Sequence, residues 1–201
     1  MVTKISNSLV NWLINKEAIQ SRDRELYEYA AYSLIITISP ILLVTIIGCI
    51  MGVLLESILM IIPFMVIRKF SGGFHLKSAL ICFLCSIALL FCFLFAVTRL
   101  SVGIPLHIIF SISIFILLSL SPVDSEERRL SATEKKKYKK TTCILVAAFG
   151  VLYILSSFSQ LDIIAICTCM GLCLCALLQI PCIPAKLKQI WACAIVLIEC
   201  N

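Results

Sequence analysis

Long apolar runs alternate with short, strongly charged connections along this chain. Residues 79–98, 104–120, 143–159 and 163–180 each form a run of about the length a helix needs to cross the ~30 Å hydrocarbon core of a bilayer. The run 34–67 is interrupted by one charge, Glu56. Its 34 residues are too long for one crossing and short for two full ones. Gly48, Gly52 and Glu56 mark a turn inside it, and Pro40 and Pro63 are expected to kink its helices. The pattern predicts two passes there, either both full or one re-entrant. Six passes result, in an all-α polytopic bundle forming a single integral membrane domain over 1–201. The apolar tail 190–198 is too short to cross.

Residues 1–30 break the pattern. They carry charges at Lys4, Lys16, Glu17, Arg22, Asp23, Arg24, Glu25 and Glu28 and lack the apolar run of a signal peptide. Ile5, Leu9, Trp12 and Leu13 share one helical face. This predicts an amphipathic helix, lying on the membrane surface or packed on the rest of the protein.

Composition agrees with the pattern. Apolar residues are 61% of the chain and charged ones 14%, against a usual ~25% charged. So few charges cannot coat a water-facing surface. The balance excludes a disordered chain, a coiled coil and a small disulfide-framed secreted domain. The net charge of +6 becomes informative by position. With six passes, four Lys and Arg precede the first pass, three follow the second, seven follow the fourth and two lie in the tail. All of these fall on one side, and only Arg99 falls on the other. The positive-inside rule then puts both termini in the cytoplasm, and the basic balance calls for no nucleic acid partner.

Most of the 12 cysteines lie in or beside the spans, and the predicted outer loops hold none. They are expected to be small packing residues rather than disulfide partners. The group Cys167, Cys169, Cys173 and Cys175 lacks the paired loops or histidines of a zinc site, so no metal or cofactor is expected. The two histidines differ. His107 starts the fourth pass on the outer side. His75 lies in the predicted cytoplasmic loop 68–78, among Arg68, Lys69 and Lys77 and after the flexible pair Gly72-Gly73. Cys82 follows seven residues later. A thiol and an imidazole are the minimal set for covalent acyl transfer. In one straight helix the two would stand ~10.5 Å apart, so His75 is expected on a loop folded back over the helix start.

The run Arg68-Lys69-Phe70-Ser71-Gly72-Gly73-Phe74-His75-Leu76-Lys77-Ser78-Ala79-Leu80-Ile81-Cys82 resembles the signature of the accessory gene regulator B (AgrB) family, bacterial membrane cysteine endopeptidases of quorum sensing. Ser121-Pro122-Val123-Asp124 with the basic run after it is similar to that family's second cytoplasmic loop. The family's Arg, Gly, His and Cys carry over to Arg68, Gly73, His75 and Cys82. Leu76-Lys77 departs from the smaller or more neutral residues expected after the histidine, which bears on substrate preference.

The resemblance implies cleavage of an AgrD-type precursor peptide. Cys82 would be the nucleophile and His75 the proton carrier, and an internal cysteine of the peptide would convert the thioester acyl-enzyme into a thiolactone-ringed signal. Arg68 would hold an oxyanion or an acidic side chain, or would simply snorkel to the interface. Lys135, Lys136, Lys137, Lys139 and Lys140, in the basic loop 121–142, would hold topology beside anionic lipid or capture the precursor's acidic tail. Glu56 and Asp124 are the candidates for orienting His75. A homodimer in the bacterial cytoplasmic membrane is implied. The competing expectation is a small transporter or peptide exporter without proteolysis, built around Glu56.

Overall fold

A computed structural model describes residues 2–16, 18–72, 79–123 and 131–182. The described residues are helical and contain no strand. Helix α1 spans Val2–Asn15, α2 Arg24–Met51, α3 Leu54–Ser71, α4 Ala79–Arg99, α5 Ile104–Leu120, α6 Ala132–Phe158 and α7 Asp162–Leu177. Short 3-10 turns precede α2 and follow α7. Three helical stretches, Ile81–Arg99, Ala132–Phe158 and Asp162–Cys182, are long and apolar enough to cross a membrane, while Ile38–Met51 and Ile104–Leu120 are shorter apolar segments.

The run 34–67 does hold two helices. α2 ends at Met51, and Gly52 adopts a left-handed conformation (φ 71°) that a side chain would disfavour. Its N–H and that of Val53 turn back to the carbonyls of Cys49 and Gly48. Both helices run through their prolines, Pro40 and Pro63. Glu56 lies in the first turn of α3, where the helix dipole favours a carboxylate.

Three boundaries differ from the sequence expectation. α2 starts at Arg24, ten residues before the apolar run, with Arg24 and Glu28 paired at 2.7 Å across one turn. α6 starts at Ala132, so the lysines of the basic loop 121–142 are helical. Ser131 and Glu134 close a reciprocal capping box there, and Lys and Glu are good helix formers. The loop 68–78 is likewise shorter than expected, because Arg68 to Ser71 form the last turn of α3. α1 is present, with Ser6 and Val10 buried and Ile5, Leu9 and Trp12 turned outward.

The core is centred on α7, which packs against α3, α4, α5 and α6. Almost every residue from Ala165 to Ala176 is buried. Small side chains explain the position. Ala165, Cys167, Thr168, Cys169, Gly171 and Cys175 let neighbouring backbones come close. A Cβ at Gly171 would strike the Met60 carbonyl oxygen and lie 2.6 Å from Pro63 Cγ. Several hydroxyls in the bundle bond their own helix, as Ser113 does to Ile109 O and Ser156 to Leu152 O. The outer faces are apolar, with Ile46, Phe83, Phe91, Ile112, Phe115 and Leu155 exposed. Such continuous apolar surface suits lipid rather than water.

Gly171→Ala is expected to loosen the α3–α7 contact and destabilise the protein by ~1–3 kcal/mol. Gly150→Ala, whose nearest neighbours would be 3.9 Å from the new carbon, is expected to be neutral or stabilising. The midpoint of heat inactivation in detergent distinguishes the two.

Candidate functional site

Arg68, Ser71 and Gly72 end α3, Cys82 begins α4, Ser121 to Val123 leave α5, and Gln179 to Cys182 follow α7. Helices α3, α5 and α7 run parallel and end together, and α4 starts beside them, so these four chain ends meet at one end of the bundle.

Main-chain contacts hold the end in place. Gly72 N–H donates to Arg68 O at 3.1 Å, and Val123 N–H donates to Ser71 O at 2.9 Å. Gly72 has φ 73°, and a Cβ there would stand 2.6 Å from Val123 O. Only glycine meets both demands without strain. The Ser71 hydroxyl lies 3.4 Å from Cys175 Sγ and thereby ties α3 to α7. Gln179 is fully buried, and its Nε2 donates to Ser121 Oγ at 2.9 Å, which ties the exit of α5 to the exit of α7.

Arg68 supplies the local charge. Its guanidinium packs 5.5 Å above the Phe64 ring, and Nη1 is shut off from solvent. Arg68 acts electrostatically on the thiols of Cys175, Cys82 and Cys182. Three cysteines from two helices and a turn therefore share one cation. Cys82 is half-buried in the first turn of α4, where its carbonyl accepts the Ser86 hydroxyl at 2.8 Å. A fixed cation in water-poor surroundings is suited to stabilise an oxyanion.

The lysines of α6 stand at the same end. Phe70 of α3 meets Tyr138 of α6 with ring centres 6.0 Å apart. Lys136, Lys137, Lys139 and Lys140 are exposed and Lys135 is partly buried. Lys139 Nζ donates to Leu118 O at 3.0 Å, so it caps the carbonyl end of α5.

His75 and Gly73, with Asp124, lie outside the described residues. Of the expected site residues, Arg68, Gly72 and Cys82 share one end of the bundle. Glu56 does not. It sits at the other end of α3, ~18 Å from Arg68 along the axis, and acts on Cys167. His107 also belongs to that far end. Its Nδ1 is 2.6 Å from the Tyr153 hydroxyl, and Tyr153 stacks on Phe110 at 3.8 Å. It pins α5 to α6. Gln179 and Cys182 do not stand out in the sequence, while Ser121 stands there only within a loop run and Cys175 only within a cysteine group that lacks metal spacing. An uncharged polar residue at the end of an apolar run looks like an ordinary boundary, and only tertiary packing reveals the contact.

The all-helical architecture, with apolar faces outward and polar groups gathered at one end, is that of a membrane protein. Residues 6–180 match the family model described as accessory gene regulator B, and the chain belongs to that family. It is 28% identical over 174 residues to an AgrB-like protein of Clostridium perfringens (strain SM101 / Type A), covering 83% of this chain and 78% of the relative. It is 26% identical over 174 residues to AgrB-like protein 2 of Clostridium perfringens (strain 13 / Type A), with the same coverage of 83% and 78%. No solved structure matches.

Gly72→Ala is expected to cost ~1–3 kcal/mol through backbone strain and to part Ser71 from Val123. The variant should show a lower midpoint of heat inactivation and faster thiol labelling at Cys175, mapped by peptide mass.

Proposed function

We propose that this protein is a membrane-embedded cysteine endopeptidase that processes an AgrD-type precursor peptide. The observation that carries this reading is the placement of Cys82, half-buried in the first turn of α4, at the end of the bundle where Arg68 lies in the last turn of α3. Family membership supports it. His75 completes the set by sequence, because it falls between α3 and α4.

In the proposed reaction, Cys82 Sγ attacks the carbonyl carbon of the scissile peptide bond and His75 takes the thiol proton. Arg68 stabilises the negative oxygen that forms. The C–N bond then breaks, the leaving amine receives the proton from His75, and Cys82 keeps the acyl group as a thioester. A cysteine thiol inside the peptide attacks that thioester. Its sulfur takes the acyl group and Cys82 regains a proton, giving a thiolactone ring. One thioester is exchanged for another, so little free energy is released and water must be kept out to prevent hydrolysis. The close packing at this end of the bundle serves that need.

In this proposal the chain makes six passes, with the Arg68 end and both termini facing the cytoplasm, and works as a homodimer. α1 lies in the interface with Ile5, Leu9 and Trp12 toward lipid. Gly72 and Gly73 give the chain freedom to bring His75 to Cys82. Lys135, Lys136, Lys137 and Lys140 attract the acidic tail of the precursor, while Lys139 holds α5. Glu56 lies at a helix end, so nothing in its placement favours a transporter.

Coexpression with an AgrD-type precursor, read by peptide mass, tests the proposal. Cys82→Ala and His75→Ala should abolish the cleaved product, and Arg68→Ala should reduce it by ~100-fold or more. His107→Ala should leave it unchanged. Full cleavage by Cys82→Ala would refute the peptidase. Reversing Lys135, Lys136, Lys137 and Lys140 to Glu should weaken cleavage while insertion stays normal, and normal cleavage would refute tail capture.

A further inference from the structure

Gln179 carries a polar atom that folding does not use. Its side chain is fully buried and its Nε2 is committed to Ser121 Oγ at 2.9 Å. Its Oε1 is equally shut off from solvent and has no hydrogen-bond partner among the described residues. A buried acceptor without a donor is destabilising, because it has lost its hydrogen bonds to water and gained none. A methionine would fill a similar space without that penalty. Packing therefore explains the size of the residue but not its amide.

The location of Gln179 suggests what the acceptor is for. It lies one turn beyond Cys175, which touches Ser71 at 3.4 Å and feels the charge of Arg68. Its own carbonyl accepts the N–H of Cys182, which feels the same charge. Cys82 belongs to that field as well. Gln179 is thus part of the wall of the end that holds the candidate nucleophile. With Nε2 donating to Ser121 Oγ, Oε1 is the amide atom left as an acceptor. The partner it lacks must be a donor that can enter a dry, cation-bearing site. A main-chain N–H fits that requirement, since it carries no charge to desolvate and is repeated along any extended peptide. A second cation would be repelled by Arg68.

We propose that Gln179, clamped by Ser121, is a substrate-binding residue whose Oε1 accepts one main-chain N–H of the precursor beside Arg68 and Cys82. The proposal rests on the cysteine-endopeptidase reading. It assigns Gln179 to registration of the peptide: one hydrogen bond at a fixed distance from the nucleophile selects which carbonyl is attacked. Because the bond forms when peptide binds and persists through the reaction, its loss weakens binding more than turnover.

The test uses the full chain in liposomes with a synthetic AgrD-type precursor that bears an internal cysteine and an acidic tail. Gln179→Met is expected to raise KM about tenfold with kcat within about twofold, as loss of one such bond implies. Ser121→Ala, which frees the amide to rotate, should raise KM by a smaller factor. A series of precursors with single amide-to-ester replacements locates the partner. One position should raise KM about tenfold for the native chain and have no further effect in Gln179→Met. Gln179→Asn, which draws the acceptor back by one methylene, gives the same comparison if Gln179→Met fails to assemble. Unchanged KM in the substituted chains overturns the proposal, as does an ester penalty that persists undiminished in them. Cleavage that survives Cys82→Ala would instead overturn the peptidase reading. Cys82-dependent cleavage with native KM in the Gln179 variants would overturn only the role of Gln179.

Discussion

The contact between α7 and α3 is the constraint on which the rest of the structure depends. Gly171 lies so close to Met60 and Pro63 that no side chain fits between them. That closeness lets one helix occupy the centre of the bundle and touch four others. In a bilayer, helix association gains little from the hydrophobic effect, because lipid tails are as apolar as the side chains. Close van der Waals packing of small residues has to supply it. The cysteines of α7 belong to this economy of space. Cys167, Cys169 and Cys175 are buried at positions where a larger residue would push the neighbours apart.

The same contact sets the geometry of the polar end. With α3 and α7 running parallel, Gly171 lies against Met60 and Pro63, Ser71 meets Cys175 a turn further on, and the exit of α7 reaches Ser121. Arg68 then faces groups from α3, α4, α7 and the turn after α7. In the proposed chemistry, a nucleophile and a cation on either side of the α3–α4 connection meet a substrate acceptor from beyond α7, far along the chain. Small residues in the middle of the bundle control their spacing. The far end is organised differently. There His107, Tyr153 and Phe110 form an aromatic pin between α5 and α6, and Glu56 sits at a helix start. The two ends thus differ, with an aromatic pin at one and Arg68 among polar contacts at the other.

Much of this was legible in the sequence. Apolar runs bounded by charges identified the helices that follow α1, and Gly52 marked the turn between α2 and α3. Boundaries were less legible where a helix outruns its apolar segment. Lys135 to Lys140 read as a loop because they are charged, yet they propagate α6 from the box at Ser131 and Glu134. Hydrophobicity reports where lipid can be, whereas caps and propensity decide where a helix begins. Arg68, Gly72 and Cys82 stood out through local spacing and family resemblance. Gln179 and its contact with Ser121 did not, since that contact spans 58 residues and leaves no periodic trace. The outward apolar face of α1 was visible as a stripe, but the burial of Ser6 and Val10 on its other side was not.

The proposed chemistry requires a covalent acyl-enzyme on the thiol at the Arg68 end. Intact mass of the purified chain, after brief incubation with a precursor whose internal cysteine is replaced by alanine, measures this most directly. Without that cysteine the thioester cannot be passed on. An adduct equal to the retained peptide fragment is expected, mapped to Cys82, released by hydroxylamine and absent from Cys82→Ala. Cleavage of the precursor with no adduct on Cys82, or with an adduct on another residue, would contradict it.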